Sequence, residues 1–237
     1  MFDALFTTTT EYKKLSHALS GKGACALFGL PASGRAQVYA ALCRQLDKPL
    51  CIVTPGEAEA TRFAADLNTL GIPAAVFPAR DYVLRPIEGT AREYEYRRLA
   101  VLGELVGGRL CAVAVPAEAL TQFTTPKEDF CANTRTLHAG DTLLRDDLLA
   151  ALFGAGYTRR AQVDGPGQFS VRGDIVDIFA PDQKMPVRME FWGDEIDTLH
   201  TFDLTTQRRE DAIDKFYLSP AREVLFGKPA AVSYTHL

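Results

Sequence analysis

Through the first half of the chain, short apolar runs alternate with stretches of helical spacing, and the alternation stops at Pro116. Residues 24–30, 50–53, 74–77 and 110–115 are apolar runs of strand length. Between them, residues 36–46 place Val38, Leu42 and Leu46 on one helical stripe, and residues 57–70 do the same with Phe63, Leu67 and Leu70. Residues 90–106 form a longer helical pattern bearing Leu99, Leu102, Leu105 and Val106. Strands that alternate with helices predict a parallel sheet covered on both faces, which suits runs that are apolar throughout. The fold class expected for this half is α/β.

After Pro116 the period changes. Asp141 stands where an N-cap would start a helix through Leu143, Leu144, Leu148, Leu149, Leu152 and Phe153, with Gly154 and Gly156 as stops. Beyond it, residues 168–171, 174–179, 187–191 and 195–202 read as antiparallel strands. They are separated by turn signals at Arg172-Gly173, Pro181-Asp182 and Gly193-Asp194. One helix against a meander predicts a smaller α+β domain with an antiparallel sheet. The expected division is 1–116, 117–206 and 207–237. The last stretch contains Pro220, Gly227 and Pro229 and closes on Ser233-Tyr234-Thr235-His236-Leu237, which reads as a truncated segment with a non-native tail.

At 237 residues and 47% hydrophobic composition, the chain can bury a core without staples. A net charge of −4 argues against a protein that coats nucleic acid non-specifically, although a local basic patch stays open. The five cysteines, Cys25, Cys43, Cys51, Cys111 and Cys131, form no Cys-x-x-Cys pair and suggest free thiols in a reducing cytoplasm. No apolar run nears the ~18 residues of a membrane span, and Met1-Phe2-Asp3 does not open a secretory signal.

Gly29 and Gly34 keep the spacing of a phosphate-binding loop, between a strand-like run and a helical pattern. Arg35 stands at the lysine position and Ala36 at the Ser/Thr position. Arginine is bulkier than the compact ammonium at a tight site, and alanine cannot ligate Mg²⁺. The loop is therefore degenerate. It reads as a tight strand-to-helix turn, with residual anion binding and hydrolysis as the alternatives. No strand ends in the acidic residues of a Walker B motif: residues 110–115 run into Pro116-Ala117-Glu118.

The segment Phe77-Pro78-Ala79-Arg80-Asp81, followed by Arg97-Arg98-Leu99-Ala100-Val101-Leu102, resembles the N-terminal region of the bacterial transcription-repair coupling factors. More specific are Arg172-Gly173-Asp174-Ile175-Val176-Asp177-Ile178-Phe179, Phe191-Trp192-Gly193-Asp194-Glu195-Ile196-Asp197 and Thr206-Gln207-Arg208. The resemblance extends from about residue 20 to about residue 225. It implies a module similar to the excision-repair protein UvrB: a nucleotide-binding-like domain without ATPase activity, then an inserted domain that binds UvrA. The degenerate loop and the lack of a Tyr-rich hairpin insert separate this chain from UvrB itself. Residues beyond 207 would begin a return to the first domain.

By the same resemblance, Arg159, Arg172, Arg188 and Glu190 fall on UvrA-contact positions, while a further family arginine is Ser170 here. Alternation puts Arg188 and Glu190 on one face of their strand and Val187, Met189 and Phe191 on the other. The bland alternative is a solvated sheet face with local ion pairs worth ~0–1 kcal/mol each. RNA polymerase and DNA would be partners of the family's downstream domains, and ATP with Mg²⁺ the cofactors of its motor; this fragment is expected to need neither and to catalyse nothing. An active helicase or ATPase fragment and a stand-alone DNA-binding domain are the competing readings. Trp192 is expected to be partly packed, Asp194 and Glu195 to form a turn and not a metal site, and Arg92, Arg97 and Arg98 to line the exposed side of a helix.

Overall fold

A computed structural model describes residues 7–21, 24–46, 48–80 and 91–223. In chain order the elements are α1 (Thr10–Ser20), α2 (Ala32–Gln45), β1 (Leu50–Thr54), α3 (Glu57–Thr69), β2 (Ala74–Val76), α4 (Ala91–Val106), β3 (Ala112–Pro116), α5 (Ala117–Leu120), α6 (Lys127–Ala132), β4 (Arg135–His138), α7 (Arg145–Gly154), β5 (Thr158–Arg159), β6 (Gln168–Arg172), β7 (Ile175–Phe179), β8 (Val187–Trp192), β9 (Glu195–Phe202), β10 (Arg209–Ala212) and β11 (Lys215–Leu218). Met1–Asp3, Asp81, Thr90 and the tail from residue 224 lie outside the described residues.

One compact unit holds the described residues up to Arg80 together with Gly107–Gln122. Its parallel sheet has the order β1-β3-β2, with Leu50 and Ala74 both level with Ala112. All five residues of the central β3 are buried, as expected for a strand covered on both faces. Small residues at helical spacing on α3, Ala60 and Ala64, let the helix lie close over Ala114. On β1 only Ile52 and Thr54 are buried, while Cys51 and Val53 are exposed. Burial on both faces therefore holds for β3 and fails for β1. Residues 24–30 are not a strand: no described strand pairs with them, and Phe28 is 88% exposed. An apolar run becomes a strand only where a neighbour accepts its ladder.

Cys43 of α2 is buried in this unit, and its thiol donates to the Cys111 carbonyl at 3.4 Å. Burial pushes its pKa up to about 11. The thiolate is the reactive species, so iodoacetamide at neutral pH should modify the exposed Cys25 and Cys131 well before Cys43. Peptide mass spectrometry of a labelling time course checks this; equal rates at Cys43 and Cys131 would contradict it.

The second unit holds α4 and the described residues from Phe123 onward. Its six-stranded sheet runs β10-β9-β8-β7-β6-β5, antiparallel except for the parallel β5–β6 pair, and β4 pairs separately with β11. Strand alternation gathers Phe169, Val176, Ile178, Val187, Met189 and Phe191 on one face, where Leu148 and Leu152 of α7 join them. Glu190 is level with Thr198 but Phe191 with Ile196, so β9 carries one extra residue. That bulge lets Ile196 and Leu199, three apart, both enter the core.

Three features depart from the sequence reading. Helix α7 begins at Arg145 with Leu144 as an uncapped N-cap. Asp141 instead accepts the His138 N–H, while Gly140 and Leu143 donate to Ile196 and Asp194 at the start of β9. Pairing to the sheet wins over local capping. Residues 207–223 supply β10 and β11, and Phe216, Leu218 and Ala221 join the core of this unit. The second compact unit therefore takes in residues 207–223 together with the meander.

The third departure concerns α4. Arg97 is exposed, but Arg98 is fully buried and makes a bidentate pair with Glu223, Nε to both carboxylate oxygens at 2.9 Å and Nη2 to Oε1 at 2.8 Å. The Glu223 N–H donates to Glu95 at 2.8 Å, and the Thr125 hydroxyl donates to the Glu223 carbonyl. Gly167, at φ +72°, sits against Tyr96 of the same helix, where a Cβ would come within 2.5 Å of the phenol oxygen. Arg98 thus joins α4 to the chain on either side of the sheet domain and does not belong to an exposed arginine row.

Candidate functional site

The sheet face turned away from α7 carries polar residues in register. Ser170, Asp177, Arg188 and His200 form one cross-strand row; Arg172, Ile175, Glu190 and Thr198 form the next. Directly opposite residues share a face, so Arg172, Arg188 and Glu190 are brought together as expected. Their environments differ.

Asp177 is the hub of this face. Its carboxylate is 1% exposed and accepts Arg188 Nε at 2.7 Å, Arg188 Nη2 at 3.0 Å and Arg172 Nη2 at 2.7 Å. Arg188 is buried, donates further to the Gln207 carbonyl at 3.2 Å and lies 4.7 Å above the Phe202 ring. The carbonyl of Gln207 is presented by a tight turn. The Asp203 carboxylate accepts the N–H groups of Thr205 and Thr206 and the Thr206 hydroxyl, which hold its pKa down. Gln207 itself takes φ 59°, the one positive-φ non-glycine among the described residues. Arg188 is therefore internal structure under the face and not an exposed contact. Arg172 is different: its side chain is 47% exposed, with one end tied to Asp177.

Glu190 is half-buried and held by Arg209 and, at 3.3 Å, by the Thr198 hydroxyl. Arg159 is exposed on the edge strand β5, level with Phe169. That register sets it on the α7 side of the ladder, so the four candidates do not share one face. Ser170 is buried, and its hydroxyl lacks a hydrogen-bond partner. Trp192, expected to pack partly, is 82% exposed at the end of β8. Asp194 and Glu195 are exposed turn and strand residues, and no group of three potential metal ligands occurs among the described residues.

Asp177, Phe202 and Gln207 were not singled out from the sequence. The available signal was a carboxylate between Val176 and Ile178, since an acid in an apolar strand demands a buried partner.

The degenerate loop lies in the other unit. Gly29 has φ +78°, and α2 begins at Ala32, so Gly34, Arg35 and Ala36 sit in its first turns. The N–H groups of Gly34 and Arg35 donate to the Pro31 carbonyl. Arg35 is exposed, 4.0 Å from Glu59, and Ala36 is buried. No described helix is long and apolar enough to cross a membrane.

The six-stranded sheet with its helix and flanking strands corresponds to a known interaction module: residues 136–224 match the UvrB interaction domain. Over 208 residues the chain is 35% identical to a transcription-repair-coupling factor of Myxococcus xanthus, covering 83% of this chain and 17% of that protein. It is 28% identical over 201 residues to the corresponding factor of Bacillus subtilis (strain 168), covering 84% and 17%. UvrABC system protein B of Chlorobium limicola is 28% identical over 217 residues, 85% of this chain and 32% of that protein. The chain belongs with the transcription-repair coupling factors, as a UvrB-like module, and spans about 17% of the length of those it matches.

Proposed function

We propose that this chain is a non-catalytic docking module that binds UvrA, and so brings excision repair to the protein of which it forms part. The main support is Arg172, a half-exposed arginine pinned by a buried carboxylate, inside the segment that matches the UvrB interaction domain. An arginine fork held in place loses little freedom on meeting a partner carboxylate. Arg159 at the β5 edge and Glu190 extend the same reading, with the segment 136–224 as the partner-binding part. Arg188 contributes by holding Asp177. Arg35 at the lysine position and Ala36 at the hydroxyl position support a scaffold role for the degenerate loop, with no cofactor of its own in this reading. RNA polymerase, DNA and the ATP-driven motor belong, in this reading, to the remaining length of the family proteins.

The Arg159→Ala/Arg172→Ala double variant should stay folded, because both residues are exposed. Its affinity for purified UvrA should fall at least about tenfold. Calorimetric titration measures this, and unchanged affinity would refute the assignment.

A further inference from the structure

Strand β8 turns Val187, Met189 and Phe191 into the core, so alternation points Trp192 the other way, onto the face of Arg172 and Glu190. The chain's one tryptophan stays 82% exposed there. A single exposed apolar side chain needs no explanation by itself; the mounting of this one does. Trp192 is level with Glu195, which bridges to Thr142, and Leu143 donates to the Asp194 carbonyl at 2.7 Å. The neighbouring Phe191 N–H donates to the Asp174 carbonyl at 2.9 Å, which fixes the end of β8 against the turn that follows Arg172. The backbone that carries the indole is thus fixed at a hydrogen-bonded sheet end, about two strands across from the arginine.

We infer that Trp192 is an anchor of the UvrA-binding surface, an inference that rests on the docking function proposed above. The partner surface it fits has an apolar pocket for the ring, with an oxygen acceptor for the indole N–H, beside carboxylates that take Arg172. Tryptophan and arginine on a preorganised face are the residue types that dominate binding energy at protein interfaces.

The test uses the whole chain with 5-hydroxytryptophan at position 192, a probe that can be excited apart from tryptophans in the partner. On addition of purified UvrA its emission should shift to shorter wavelength and acrylamide quenching should fall. Trp192→Ala should lower UvrA affinity at least about tenfold with the melting temperature unchanged, and Trp192→Phe should restore part of it. If the arginine double variant loses binding while Trp192→Ala binds normally and the probe stays exposed, the anchor is wrong and the docking function stands. If the unaltered chain does not bind UvrA, both fail.

Discussion

Arg98→Ala is expected to destabilise the second unit by about 3–5 kcal/mol, because it strands the Glu223 carboxylate without its partner in a fully enclosed site. Both side chains are at most 1% exposed, so water cannot replace the lost bonds. The loss also removes the Arg98 Nη2 bond to the Phe123 carbonyl at 3.5 Å, while the Glu223 backbone keeps its bonds to Thr125 and Glu95. Urea unfolding followed by circular dichroism reads the change. Arg97→Ala, one residue away and exposed, should stay within about 0.5 kcal/mol of the parent. The paired replacement Arg98→Met with Glu223→Leu removes both charges together and should recover much of the loss. A single-variant cost below about 1 kcal/mol would show that the pair is not enclosed as described.

Asp177→Ala should have an effect of similar size and add a functional one. It leaves Arg188 buried with the Gln207 carbonyl and the Phe202 ring but no counter-charge, at a cost of about 3–5 kcal/mol. It also frees Arg172, which keeps nearly half its surface in water and so contributes little to that cost. Under the docking function, affinity for UvrA then falls even at temperatures where the variant is folded, because Arg172 must be ordered at the moment of binding. Asp177→Asn keeps hydrogen-bond acceptors and should lie between parent and alanine in stability. A folded Asp177→Ala chain with full affinity would separate Arg172 orientation from binding.

Both sites show what pattern reasoning reaches. The meander from Gln168 to Phe202 was legible because period-2 alternation and the Gly173 and Gly193 turns are local properties, and each strand appears close to where it was expected. The sharing of one face by Arg188 and Glu190 follows from alternation alone. Whether that face is wet does not. Phe202 at the end of β9 and the Gln207 turn that follows it come back over Arg188, and only their return buries the guanidinium. Arg98 was hidden for the same reason: its partner is 125 residues away, beyond the reach of any helical spacing rule. The apolar run at residues 24–30 failed in the opposite direction, since composition suits a strand but no described neighbour supplies the ladder.

The amino-acid sequence by itself determined the two kinds of architecture, a parallel sheet with helices and then an antiparallel meander, because periodicity and turn chemistry are written along the chain. It also determined that the loop from Gly29 to Ala36 lacks the lysine and hydroxyl of a phosphate site. Tertiary structure decided which side chains are enclosed and which are exposed. Arg98 and Arg188 are enclosed by carboxylates, while Arg172 and Trp192 remain on the surface. Burial depends on which distant segments pack above a residue, and that is a property of the assembled sheet and not of any stretch within it.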